Sequence, residues 1–294
     1  MSIKVGNTPL IELKKIKQKF NLPFNIFAKN EGENPTGSIK DRAVHQMLVD
    51  DYESKRINQE TVIIETTSGN TGIALAYFGK QFGNKVIICM PSTMSKQRRE
   101  MIAQYGAELV LVEGGMKECN DKAVELHQNI QNSVIFGQFD HKSNPKTHYL
   151  HTAPEILNAH PNVKYVFAGI GSGGTISGIA KYIKEHNLDI KIIGIEPSES
   201  PLITKGNAGT HGIQGIGANF IPSILDLDKI DSVITVSSLE SIEMARLIKE
   251  VEGISVGYSS GAALLASINY CKQNNVLDDV VVIFPDKGDR YSWQ

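Results

Sequence analysis

The chain has 294 residues, 41% hydrophobic and 21% charged, enough for one large or two medium domains with buried cores. A formal net charge of −2 offers no basic field for nucleic acid or an anionic membrane surface, and no run approaches the ~18 apolar residues a membrane helix needs. Cys89, Cys119 and Cys271 are widely spaced without a C-x-x-C, which argues against a disulfide or zinc framework, and the segment Met1-Ser2-Ile3-Lys4-Val5-Gly6-Asn7 lacks an apolar signal core, so a cytoplasmic protein is expected.

Short β-branched runs alternate with longer amphipathic segments. The spacing predicts a helix over Lys40–Asp51, with Ala43, Val44, Met47 and Leu48 on its apolar face. A strand at Val62–Glu65 leads to a helix at Thr71–Phe82, and a strand at Lys85–Met90 to a helix at Ser95–Tyr105. A strand at Glu108–Val112 and a helix at Met116–Gln131 follow. Asp140–His148 reads as a loop and a soft boundary. Beyond it come strands at Val163–Ala168, Lys191–Glu196, Ser232–Val236 and Val280–Phe284, with helices at Thr175–His186, Ser238–Val251 and Ser260–Asn274. Near-continuous apolar strands alternating with helices imply parallel sheets covered on both faces, an α/β protein with one unit on either side of the boundary loop.

Ligands in such folds lie at the C-terminal ends of the strands, and the Gly/Ser/Thr-rich loops fall there. In Asn34-Pro35-Thr36-Gly37-Ser38-Ile39-Lys40-Asp41-Arg42, Pro35 and Gly37 mark a turn and Lys40 opens a helix. Alone it reads as a surface lysine; buried in the field of a helix N-terminus, its amine would be held neutral, as imine chemistry requires. Thr66-Thr67-Ser68-Gly69-Asn70-Thr71-Gly72 joins a strand to a helix with hydroxyls and backbone N–H groups that suit a carboxylate, although an elaborate N-cap would explain part of it. Gly169-Ile170-Gly171-Ser172-Gly173-Gly174-Thr175 suits a phosphate. It also satisfies G-x-G-x-x-G, with Glu196 ending the next strand, so a dinucleotide competes for it. Gly257-Tyr258-Ser259-Ser260-Gly261-Ala262-Ala263 is either close helix packing or a serine partner for a ring nitrogen, and Gln214-Gly215-Ile216-Gly217-Ala218-Asn219-Phe220 resembles a glycine loop able to cover a site. The histidines, His141, His148 and His151 among them, form no metal motif.

Taken together, and running from Gly6-Asn7-Thr8-Pro9-Leu10 to Pro285-Asp286-Lys287-Gly288-Asp289-Arg290-Tyr291, these motifs resemble the fold-type II pyridoxal-phosphate enzymes of the O-acetylserine sulfhydrylase (cysteine synthase) and cystathionine β-synthase family. The resemblance implies a tryptophan synthase β-like fold of two three-layer α/β domains with mostly parallel sheets. It implies a smaller mobile domain at 36–145 and a larger one at 1–35 plus 146–294, the smaller closing over the substrate. By position, Lys40 would carry pyridoxal 5'-phosphate as a Schiff base and act as the catalytic base. Asn70 would bond the ring hydroxyl, Gly171, Ser172, Gly173, Gly174 and Thr175 the phosphate, and Ser259, ahead of Ser260, the ring nitrogen. Thr67, Ser68, Gly69, Thr71 and Gln138 would hold the substrate carboxylate. The implied reaction is β-replacement on an L-serine derivative, O-acetyl-L-serine plus sulfide giving L-cysteine and acetate. A cystathionine β-synthase-like or hydrogen-sulfide-releasing enzyme is the alternative. The resemblance also implies a homodimer and a serine acetyltransferase partner. An NAD-dependent oxidoreductase built on the 169–174 loop would leave Lys40 and the 66–72 segment without a role, and a non-catalytic binding protein would not need the lysine.

Overall fold

The β-branched runs expected as strands all form strands in the computed structural model, which describes residues 4–67 and 69–291. In chain order the strands are β1 (Leu10–Glu12), β2 (Ile26–Asn30), β3 (Val62–Thr66), β4 (Val86–Pro91), β5 (Glu108–Val112), β6 (Ser133–Ile135), β7 (Tyr165–Gly169), β8 (Lys191–Pro197), β9 (Ser232–Val236) and β10 (Val280–Phe284). The α-helices are α1 (Lys14–Lys19), α2 (Lys40–Glu53), α3 (Asn70–Phe82), α4 (Lys96–Gln104), α5 (Met116–Asn129), α6 (Ser143–Thr147), α7 (Ala153–Ala159), α8 (Gly174–Glu185), α9 (Leu202–Lys205), α10 (Ser238–Glu252) and α11 (Tyr258–Gln273). Two units result, Met1–Ile39 with Pro145–Gln294, and Lys40–Asn144.

The larger unit is built on the sheet β1-β2-β10-β7-β8-β9, parallel except for β1 against β2. Every residue of β10 is buried, as a central strand covered on both faces requires. One face packs Phe167, Val280, Val282 and Phe284 against α1, α10 and α11 through Ile16, Ala245, Ile248, Ala263 and Ile268. The opposite face packs Val166, Ala168, Val281 and Ile283 against α7 and α8 through Ile156, Ile176, Ile179 and Ile183. That alternation along each strand produces the three layers.

The smaller unit is the fully parallel sheet β5-β4-β3-β6. Ile64, Ile87 and Cys89 on one face meet Cys119 and Ala123 of α5. On the other, a Cβ added at Gly72 of α3 would touch Ile88 and Ile102 of α4, so these helices close the second face. Cys89 is a fully buried core thiol, as its apolar run implied, and burial pushes it up to about 11.

The stretch read as a loop at Asp140–His148 is partly helical. Here α6 occupies Ser143–Thr147 and runs through a π-helical turn at His148–Thr152 into α7. Pro145 is tolerated because it lies in the first turn of α6, where its missing N–H has no intrahelical acceptor. β2 carried no strand signal because Lys29 interrupts its apolar pattern. Lys29 is 1% exposed, and its ammonium donates to the Thr8 carbonyl at 2.6 Å and to Glu155 at 2.7 Å.

Candidate active site

Within the larger unit, the glycine loop leaves β7 and opens α8. Gly173 takes the left-handed conformation, φ 82°, as N-cap, and Ser177 N–H donates to its carbonyl at 3.0 Å. Ser172 is buried and its Oγ accepts the Gly174 N–H at 3.5 Å. The first-turn N–H groups of this 12-residue helix lack intrahelical acceptors and sit at its positive end. With the hydroxyls of Ser172 and Thr175 they make a donor set, without a carboxylate, that fits a phosphate. Thr175 is backed by His148, whose Nε2 lies 3.3 Å from Thr175 Oγ1 and whose Nδ1 lies 2.9 Å from Thr152 Oγ1. Sequence reasoning passed over His148, whose contact with Thr175 spans 27 residues.

The Gln214–Phe220 segment packs on this loop. Gly217 N–H donates to the Ile170 carbonyl at 2.9 Å, and a Cβ at Gly171 would lie 2.3 Å from the Gly215 carbonyl oxygen. Close backbone approach therefore explains Gly171. The dinucleotide reading fails at Glu196. That carboxylate is 2% exposed and accepts from Ile203 N–H at 2.8 Å, Thr204 N–H at 2.9 Å and Thr204 Oγ1 at 2.6 Å. It caps α9 and has no face to offer a ribose.

Ser259 lies in the first turn of α11, the helix that packs against β7, and is 3% exposed. Ser260 is fully buried and its Oγ has no hydrogen-bond partner. The neighbouring glycines serve packing. A Cβ at Gly257 would lie 2.1 Å from Asp286 Oδ1, and one at Gly261 2.0 Å from the Ser241 carbonyl.

The turn before Lys40 is fixed inside the larger unit. Gly37 N–H donates to the Asn34 carbonyl at 2.8 Å with Pro35 at the second turn position, and Gly37 adopts φ 84°. Arg290 donates to the Thr36 carbonyl, and Ile39 N–H to the Pro285 carbonyl at 2.7 Å. Asn34 donates to Glu31, which also accepts from Thr8, so the N-terminal Gly6–Pro9 motif braces the same turn.

Within the smaller unit, Lys40 is the first residue of α2 and half-buried, and α2 packs against α3, which begins at Asn70. Thr67 N–H donates to the Cys89 carbonyl at 3.2 Å and Thr67 Oγ1 accepts Gly69 N–H at 3.2 Å. Thr71 Oγ1 donates to Gln138 Oε1 at 2.6 Å across 67 residues, so these two predicted site residues meet. That bond leaves the Nε2 protons of Gln138 as donors. Thr67, Thr71 and Gln138 are buried, and Gly69 and Asn70 are half-buried. Gly72 is required because a Cβ there would lie 2.8 Å from Thr67 Cγ2. Ser68 lies outside the described residues.

The family described as pyridoxal-phosphate dependent enzymes matches residues 1–286. Cysteine synthase B of Campylobacter jejuni is 47% identical over 286 residues, covering 96% of this chain and 90% of that protein. A hydrogen sulfide-producing enzyme from Fusobacterium nucleatum superposes with a TM-score of 0.92 at 39% identity, over 98% of this chain and 97% of that one. Cysteine synthase from Entamoeba histolytica does so with a TM-score of 0.93 at 37% identity, over 98% and 87%. With Lys40 at the head of α2, a glycine loop offering N–H and hydroxyl donors at the head of α8 and this likeness over nearly the full length, the chain belongs to the pyridoxal-phosphate dependent enzymes.

Proposed function

We propose that the protein is a cysteine synthase, converting O-acetyl-L-serine and sulfide to L-cysteine and acetate. The observation that carries it is the buried cluster of Thr67, Thr71 and Gln138 at the start of α3, where the Thr67 hydroxyl and the Gln138 amide are donors suited to an amino-acid carboxylate. The 47% identity to a cysteine synthase B supports the same reaction.

On the larger unit, Gly171, Ser172, Gly173, Gly174 and Thr175 would hold the phosphate of pyridoxal 5'-phosphate, and Ser259 would face the ring nitrogen. On the smaller unit, Lys40 would bind the cofactor aldehyde, Asn70 would bond the ring hydroxyl, and Ser68 and Gly69 would complete the carboxylate clamp. When bound, the cofactor supplies an electron sink that weakens the bonds at the substrate α-carbon. Ser259, a neutral hydroxyl and not a carboxylate, would orient the ring without holding a proton on its nitrogen. Lys40 Nζ would take the proton from the substrate α-carbon as acetate leaves and would return it there after sulfide adds at the β-carbon. The clamp holds the carboxylate throughout.

The Fusobacterium neighbour favours a second reading, release of hydrogen sulfide from cysteine by the same half-reactions. Supplying O-acetylserine with sulfide, then cysteine alone, decides between them. Cysteine formation from the first pair is expected, with sulfide release from cysteine at least tenfold slower in kcat/KM. The reverse order refutes the assignment. Lys40→Ala should abolish both turnover and the visible band of bound cofactor, and wild-type turnover by that variant defeats the mechanism. A cytoplasmic homodimer that binds a serine acetyltransferase completes the proposal, read by sedimentation alone and with that partner. Among the described residues no helix is long and apolar enough to cross a membrane.

A further inference from the structure

Glu65 is the one charged residue of β3, it is 3% exposed, and nothing in the reaction above uses it. Its Oε1 accepts the Thr66 N–H at 2.8 Å and its Oε2 accepts the Gln138 N–H at 3.3 Å. Thr66 leads directly into Thr67, and Gln138 accepts the Thr71 hydroxyl at 2.6 Å while its carbonyl accepts Asn144 Nδ2 at 2.8 Å. One carboxyl therefore ties together both arms of the clamp, the end of β3 and a turn 73 residues further along the chain.

Packing alone would be served by another isoleucine, as at Ile63 and Ile64. Burial instead pushes the Glu65 carboxyl up to about 7, against the pull of the Thr66, Gln138 and Gly137 N–H groups and with Asp140 adding repulsion. An acid kept in a strand at that cost makes bonds an apolar residue cannot supply.

We propose that Glu65 is a positioning residue for the substrate carboxylate, setting the spacing between the Thr66–Thr71 segment and Gln138 and thereby the affinity for the amino acid. This rests on the reading of Thr67, Thr71 and Gln138 as the carboxylate clamp. The contribution is geometric, since a carboxylate at Glu65 would by charge alone repel the one being bound. Glu65→Gln offers one acceptor oxygen and turns an NH₂ group on the second backbone donor, so one arm is released. Glu65→Asp keeps the acid but withdraws it by one methylene and releases an arm by the other route.

The test titrates holoenzyme of the wild type and both variants with glycine, which has the amine and carboxylate but no leaving group, following the visible band of the cofactor. Steady-state rates with O-acetylserine and sulfide accompany it. The expected result is a rise of about tenfold in the glycine Kd and in the KM for O-acetylserine, with kcat and the KM for sulfide within about twofold, the scale of one lost hydrogen bond in the clamp. Glycine affinity unchanged or improved in either folded variant overturns the proposal, as does a fall in kcat at constant KM. Loss of folding in both variants also overturns it and leaves Glu65 a purely structural acid. A wild type that binds glycine yet does not turn over O-acetylserine refutes the reaction while the glycine titrations still decide the role of Glu65.

Discussion

The pH dependence of stability isolates Glu65 in a way kinetics cannot. Its carboxyl moves from 4.5 to about 7 on folding, chiefly through burial. Between those values the unfolded chain has lost the proton and the folded chain still holds it, so stability falls as pH rises through the window and is flat above it. At about 1.4 kcal/mol per tenfold, the whole shift amounts to about 3 kcal/mol, present below about pH 4.5 and gone above about pH 7. Glu65→Gln has no proton to lose and lacks this slope. Urea unfolding of both proteins at about pH 5 and about pH 8 provides the comparison, because titrating groups that do not interact with Glu65 cancel in the double difference. Relative to the variant, the wild type should lose about 2–3 kcal/mol between the two conditions. A double difference under about 0.5 kcal/mol would refute the reasoning, since it would mean that Glu65 ionises as freely in the folded protein as in the unfolded chain.

Two further substitutions probe the larger unit. Gly261→Ala places a Cβ 2.0 Å from the Ser241 carbonyl and 2.7 Å from the Ala245 nitrogen, so α10 and α11 must separate, and thermal unfolding should show a loss of about 1–3 kcal/mol or more. Lys29→Met removes the buried ammonium from Glu155 and the Thr8 carbonyl, and should cost about 3 kcal/mol in urea, with part restored by adding Glu155→Gln.

Most of the fold was legible because its strands are short β-branched runs, the central ones buried on both faces, Val280–Phe284 being the plainest. β2 was not, because Lys29 breaks the pattern and its partners, Thr8 and Glu155, come from distant segments. The short α6 was hidden by Pro145, which marks a loop until its place in a first turn is known. At the site, the glycine and hydroxyl loops announce themselves by composition, since backbone donors at a helix start need small residues around them. His148 and Glu65 do not. A histidine behind a threonine and an acid beneath a turn acquire their roles only through sheet register and loop return, which no local pattern encodes. Glu196 shows the converse, a residue with the right identity and spacing for a dinucleotide that is spent on capping α9.

The order of strands also has a consequence for synthesis. β3, β4, β5 and β6 pair only among themselves, within residues 62–135, so the smaller unit can complete its sheet while the ribosome is still making the larger one. β2 must wait, because its parallel partner is β10, where Ile26 registers with Val280. Until β10 emerges, β2 has only the three-residue β1 beside it and presents an open edge with a lysine pointing into an unfinished core. On a nascent chain, then, the interval between residues 30 and 280 is the one in which the larger unit most needs shielding, and Lys29 itself, a charge on the exposed edge, discourages that edge from pairing with a neighbour.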